Sequence, residues 1–366
     1  MKIEAYSPTI RRKEMAAVLT AMVEDKIGPG EQAKILIQTA KERIKFDYCL
    51  ALRSPAIALY LALKALGLQR GQGVVVSALS PLYYAHVIED MGLVAVYCDV
   101  LPSSACIGRE TVEKAISSVH LDVRCLALHH TLGYIPDREA LAGLGLPIIE
   151  DNSESYGTAA GEDFISDEEG AAQVPDNATA GSRIIGSVGV FTILGLEERD
   201  MLTSGGGALL YSVNRRDSSL LRNLGLPSGD LPPQYGLPDM NAALAVVQFR
   251  EITKNLQKRS EFARLYTQSA MKTRHKRFVQ YNAEYNNYVF PLILETGLND
   301  VKVYARRKDV AVESAFDNTL AGTGIVPRDK CPEAYSLSLR TVLFPLYPRL
   351  GMTNALKVAK LIQTLP

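Results

Sequence analysis

Through the first two thirds of the chain, short apolar runs alternate with stretches of helical spacing, and this alternation restricts the fold more than any other feature. The runs Val74-Val75-Val76-Ser77, Val94-Ala95-Val96-Tyr97, Cys125-Leu126-Ala127-Leu128 and Pro147-Ile148-Ile149-Glu150 have the length of strands. Between them, residues 56 to 66, rich in leucine and alanine, suit a buried helix, and residues 109 to 119 suit a second. Strand-helix-strand units of this kind predict an α/β fold, a parallel sheet covered by helices with right-handed crossovers. From 240 to 264 the pattern becomes one long amphipathic helix with Leu244, Val247, Phe249 and Ile252 among its apolar positions. Such a helix commonly separates domains, so a large unit is expected over 1–245 and a small α+β unit over 246–366, with the N-terminal segment packed on the small one. Within that small unit, residues 288–294 read as a strand and 354–365 as a closing helix. Residues 161–182, rich in Gly, Ala, Asp and Glu, read as a surface loop.

Charge and cysteine usage exclude several classes of function. Forty basic residues balance forty acidic ones, so nothing draws the chain as a whole to nucleic acid or to an anionic membrane. Cys49, Cys98, Cys106, Cys125 and Cys331 show neither a Cys-x-x-Cys pair nor metal-like spacing with histidine, which predicts reduced, buried thiols and no metal site. The N-terminus lacks a charged-then-apolar signal pattern, and no apolar run reaches the roughly 20 residues of a membrane helix, so a cytoplasmic location is expected.

The order and spacing of several segments carry a family resemblance. They are Lys26-Ile27-Gly28-Pro29-Gly30, the run from Leu59 to Leu68, the acidic strand end Ile148-Ile149-Glu150-Asp151, the turn Thr203-Ser204-Gly205-Gly206-Gly207, and Leu343-Phe344-Pro345-Leu346-Tyr347-Pro348. Together they resemble the sugar aminotransferases of the DegT/DnrJ/EryC1/StrS family nearly end to end. The resemblance implies the PLP-dependent transferase fold of type I: a large domain around a mostly parallel seven-stranded sheet flanked by helices, plus a small C-terminal domain. It also implies a dimer whose active sites are built from both subunits.

Carried over one residue at a time, the family's site is incomplete. A Ser-Gly-Thr turn that binds the cofactor phosphate becomes Ser54-Pro55-Ala56, where the N–H groups of Ala56 and Ile57 remain but Pro55 donates nothing. Serine followed by proline is also ordinary helix-start chemistry, and both readings stay open. The pair that supplies a stacking ring becomes Ser80-Pro81, with Tyr83 or Tyr84 as a substitute ring or as packing. Asp151 matches the aspartate that pairs with the pyridine nitrogen, although an aspartate ending a parallel strand marks ligand sites of many kinds. Glu154 stands where the family has Gln or His and is expected to add negative charge. Thr192 helps outline the pocket, and Gln234 replaces the asparagine of a partner-facing Asn-x-Arg element.

The decisive loss is the Schiff-base lysine. No lysine occurs between Lys114 and Lys254. Counting forward from Phe191-Thr192 places the family lysine at Glu197, and counting back from the glycine turn places it at Arg199; neither forms an imine. None of the five histidines falls in this window either. The expectation is a catalytically degenerate homologue with no catalytic residue assigned and no covalently bound cofactor, acting as a binding or regulatory protein. It would be a homodimer, or a heterodimer with an active homologue. A sugar nucleotide or an anion would occupy the vestigial pocket between Ser54, Ala56, Ile57 and Asp151, and an inward Arg199 would pair with Asp151 or Glu154. The alternative is an atypical PLP- or ligand-dependent enzyme of nucleotide-sugar or polysaccharide biosynthesis. A structural homodimer without ligand is the third.

Overall fold

Valine-rich runs become strands here because helices cover them on both faces. A computed structural model describes residues 2–25, 27–158, 188–224, 231–280 and 284–366; the loop expected at 161–182 and Lys26 lie outside the described residues. Helices α1 (Arg12–Val23) and α2 (Glu31–Ile44) lead into strand β1 (Tyr48–Leu52). Then follow α3 (Pro55–Ala65), β2 (Gly73–Ser77), α4 (Tyr83–Asp90), β3 (Val94–Cys98), α5 (Arg109–Ser117), β4 (Val123–His129), α6 (Arg138–Ala142) and β5 (Ile148–Asp151). Strands β6 (Phe191–Gly195) and β7 (Ala208–Ser212) complete the large sheet, and α7 (Arg215–Arg222) follows.

The sheet has seven strands in the order β1-β7-β6-β5-β4-β2-β3. Pairings among β2 to β6 are parallel, and β7 runs antiparallel to both of its neighbours. Strands β2, β5, β6 and β7 are buried at every position, as expected when helices lie on both sides. The chain winds outward from β2 to β3 and then returns to place β4 on the other side of β2. A crevice therefore opens at the carboxyl ends of β2 and β4, where open α/β sheets bind ligands.

The expected helices over 56–66 and 109–119 are α3 and α5. Helix α3 starts on Ser54, whose Oγ accepts from the Ile57 N–H at 3.3 Å, with Pro55 at the first helical position. The expected long helix is α8 (Asp239–Ala270), 32 residues and so about 48 Å of rod. Its first half, through Ala242, Val246, Phe249 and Ile252, enters a core shared with Leu36 and Leu209. Its second half, through Phe262, Tyr266 and Ala270, enters another with Phe290, Val342 and Leu361.

The remaining elements, β8 (Phe290–Ile293), α9 (Leu298–Arg307), β9 (Glu313–Ser314), α10 (Pro332–Arg340), β10 (Thr341–Phe344) and α11 (Met352–Gln363), include a three-stranded sheet in the order β8-β10-β9. Ile3 joins this C-terminal core and bridges to Val310. All five cysteines are buried and free.

Candidate functional site

Asp151 closes β5 at the mouth of the crevice, 2% exposed, and every direction around its carboxyl group is taken. Its Oδ2 accepts from the hydroxyls of Tyr83 at 2.9 Å and Tyr84 at 2.8 Å. Its Oδ1 accepts from the backbone N–H of Ser153 at 3.0 Å and from the Ser153 hydroxyl at 2.5 Å. The two tyrosines open α4, which the short connection after β2 aims across the crevice; their ring centroids stand 4.7 Å apart. Burial, with the Asp151 carboxyl second, drives both hydroxyls well above the usual tyrosine range, so both remain donors. Tyr83 and Tyr84 thus hold the Asp151 carboxyl through their hydroxyls while their rings pack on each other.

A second and a third carboxyl group lie close by. Glu154 is pushed up to about 8 by burial, then by Asp200 and Asp151. That favours the protonated form near neutral pH, with no arginine or lysine of the described residues acting against it. Asp200 is likewise pushed up to about 8 by burial, with Asp151 and Glu197 adding. Its Oδ2 accepts from the Glu197 N–H at 2.7 Å. Gly195 makes the room: a Cβ there would collide with Asp200 Oδ2 and stand 2.7 Å from Ser153 Oγ, which itself accepts from the Gly195 N–H at 2.7 Å.

His129, at the end of β4, presents Nε2 at 3.9 Å from Glu154 Oε2. Its Nδ1 is buried without a hydrogen-bond partner among the described residues, and burial brings the ring down to about 4, leaving it neutral.

The turn that the family alignment singles out points elsewhere. Glu197, Glu198 and Arg199 are all exposed, and the side chain that turns toward Gly195 is the next one, the half-buried Asp200. Arg199 does not turn inward to Asp151 or Glu154. It forms a bidentate pair with Glu313 at 2.6 and 3.2 Å and lies over the Tyr6 ring, because a guanidinium gains more from a half-open carboxylate and an aromatic face than from a site already filled by hydroxyls. Gly205, Gly206 and Gly207 all have positive φ, the conformation that closes the loop back onto Leu196.

The remaining expected residues lie at and beside the start of α3 and on β6. Ser54, Ala56 and Ile57 start α3, and the segment of Gln234 lies beside them: the Arg53 N–H donates to Tyr235 O at 2.8 Å, and Leu52 bridges to Gly236. Gln234 itself is exposed. Thr192 is buried in β6 in register with Glu150, on the face of the sheet opposite Asp151, so it does not join the Asp151 group. Sequence reasoning missed Ser153, His129 and Asp200. An acidic residue just before the glycine turn was the only signal for Asp200.

The donor set does not fit a covalently held pyridoxal phosphate. The interval that builds β5, β6 and the following turn contains no amine, the carboxyl group that would meet a ring nitrogen is saturated by tyrosine and serine donors, and Pro55 removes an N–H from the α3 terminus. No group of three or more metal-ligating side chains occurs among the described residues.

A family model described as the DegT/DnrJ/EryC1/StrS aminotransferase family matches residues 8–363. Among curated proteins, an L-glutamine:2-deoxy-scyllo-inosose aminotransferase of Streptomyces lividus is 28% identical over 201 residues, which are 54% of this chain and 41% of that protein. Its namesake from Streptomyces fradiae is 28% identical over 203 residues, 53% of this chain and 42% of that protein, so the chain aligns with less than half the length of these relatives. Among solved structures, the aminotransferase TlmJ from Streptoalloteichus hindustanus superposes with a TM-score of 0.81 at 18% identity, covering 99% of this chain and 98% of that one. Spr1654 of Streptococcus pneumoniae in its PLP-form gives 0.84 at 16% identity, covering 100% and 98%. At such identities the likeness is one of fold.

Proposed function

The chain belongs to the DegT/DnrJ/EryC1/StrS aminotransferase family, and we propose that within it the chain does not transaminate but serves as a binding or regulatory protein. One observation carries the reading: the carboxyl group that the family offers to the cofactor ring is occupied by the chain's own Tyr83 and Tyr84 hydroxyls. The lysine-free interval supports it, since amine transfer requires an imine-forming group that also moves a proton. The ligand on this reading is a sugar nucleotide or another anion at the α3 terminus beside Ser54, Ala56 and Ile57. The assembly is a homodimer, or a heterodimer with an active homologue.

Incubation with pyridoxal phosphate, borohydride reduction and peptide mapping test the proposal. The expected result is no imine absorbance band and no reduced adduct; an adduct on any lysine of the pocket overturns it.

A second reading, an atypical enzyme of nucleotide-sugar or polysaccharide biosynthesis, rests on one further feature. Glu154 and Asp200, both protonated near neutrality, stand near Asp151 with a neutral His129 at hand, a set able to give and take protons. Turnover of a nucleotide sugar by the wild type, lost in Asp200→Asn, would select this reading over the first.

A further inference from the structure

Helix α1 is apolar on two sides and covered on one. Its inner side packs on α8, where Ala21 is buried and the buried Glu14 accepts from Gln248 Nε2 at 3.2 Å. Met15, Leu19, Met22 and Val23 nevertheless remain 52%, 58%, 50% and 82% exposed. At about 100° per residue these four fall, with the exposed Arg12 and Ala16, within roughly 120° of arc centred on Leu19, away from Glu14 and Ala21. Lys13, Thr20 and Glu24 form a polar strip along one border of that arc. Among the described residues no other helix leaves more than two large apolar side chains exposed. Exposed apolar residues scattered singly are ordinary, whereas a contiguous group marks a contact surface.

The two ends of this face differ in charge. Arg12 opens the helix, and Glu24 and Asp25 close it, all of them exposed. Arg12 and Asp25 have no ion-pair partner among the described residues. The last turn of a helix adds its own negative partial charge, and α1 has no basic residue there to offset it. A surface with a cation at one end, anions at the other and apolar side chains between is complementary to its own reverse.

We propose that this face binds its counterpart on a second copy of the chain, with the two α1 helices antiparallel across a two-fold axis between Val18 and Leu19. Met15 of each copy then meets Met22 of the other, and the two Leu19 side chains meet at the axis. Arg12 of each copy lies against the last turn of the opposite helix, beside Glu24 and Asp25. One helix face is smaller than the roughly 20–30 residues a side of a standard interface, so the association belongs in the micromolar range. The contact does not depend on the reading of the Asp151 group. An anionic lipid surface would meet Glu24 and Asp25 unfavourably at one end of the face.

Sedimentation of the full chain tests it. At about 100 μM the wild type should show twice the mass of Leu19→Lys, a change at an exposed position that leaves the melting temperature unaltered. Equal masses overturn the proposal. Charge reversal tests the antiparallel arrangement: Arg12→Glu and Asp25→Lys should each self-associate about tenfold more weakly than the wild type, since each sets like charges opposite one another twice. An equimolar mixture of these two variants restores opposite charges at both ends and should regain wild-type strength. No recovery on mixing overturns the arrangement. Flotation of the wild type, but not of Leu19→Lys, with phosphatidylglycerol vesicles would assign the face to lipid and overturn the second copy as its occupant.

Discussion

Glu150 and Asp151 are neighbours at the end of one strand, both buried, and they face opposite sides of the sheet into opposite electrostatic worlds. Burial alone would raise Glu150, but the His130 ring at 3.1 Å, the Arg138 guanidinium at 3.4 Å and the Gly189 N–H bring it below the usual glutamate range. On the Asp151 side, the neighbours are tyrosine and serine hydroxyls, and Glu154 and Asp200 rise to about 8 with no arginine or lysine among the causes. Burial is thus common to both sides, and what differs is the partner. A cation makes a buried carboxyl an ion, whereas hydroxyls and further carboxyls leave its neighbours as acids.

The contrast is most exposed to failure on the Glu150 side. Arg138→Ala leaves that charge with one partner fewer, and the expected cost is about 3–5 kcal/mol in urea unfolding. A loss under about 1 kcal/mol would mean that Glu150 is not an ion pair at all. On the other side, Tyr84→Phe removes a single hydroxyl from Asp151 and should cost about 1–3 kcal/mol, with Tyr83→Phe partly additive because the two share one acceptor. Unchanged stability in the double variant would show that these hydroxyls do not hold the site closed.

The pH dependence sharpens the same point. Glu154 and Asp200 have folded values near 8, above their ordinary 4.5 and 3.8, so the folded state keeps protons that the unfolded state has lost. Their stabilisation is full below the unfolded values and drains away as pH rises to about 8. Between pH 6.5 and 8, stability should fall by about 2 kcal/mol per pH unit, and Asp200→Asn should reduce the fall by about half. His129, lowered from 6.5 to about 4, works in the opposite sense below 6.5 and makes the slope shallower there. A curve equally steep in wild type and variant would remove Asp200 from the argument. The smallest effect belongs to the surface: Arg199→Ala breaks the half-open pair with Glu313 and should cost about 0–1 kcal/mol, declining with salt.

Much of this fold could be read from local spacing, and little of its site. Val74-Val75-Val76 and the leucines of α3 announce buried elements because a strand or helix covered on all sides needs apolar residues throughout, which is a property of each short segment alone. Ends of elements were less legible: α8 runs to Ala270 rather than 264, since its later turns are held by a core that forms only with β8 and α11. The partners of Asp151 depend on which loop arrives from the other side of a crevice. Tyr83 and Tyr84 precede it by 68 and 67 residues, and nothing near Asp151 in the chain encodes their approach. The fate of the family's lysine position was hidden for a similar reason. Whether Glu197, Arg199 or Asp200 turns inward is decided by Gly195, whose missing side chain makes space for one carboxyl.

The long helix α8 also sets the order in which this molecule can be finished during its synthesis. Asp239, at its first turn, receives the N–H groups of Gly30, Gln32 and Ala33, contacts that span more than two hundred residues. Gln248 donates to the carbonyl of Thr9, 239 residues away, and Arg259 grips carbonyls that emerge later still, at Tyr288 and Leu346. The first thirty or so residues, although made first, must therefore stay unfastened until α8 has left the ribosome, and the C-terminal core must wait nearly to the end. Contacts of such high sequence separation are slow to form, so refolding should show a late phase in which the N-terminal segment docks onto a helix already in place.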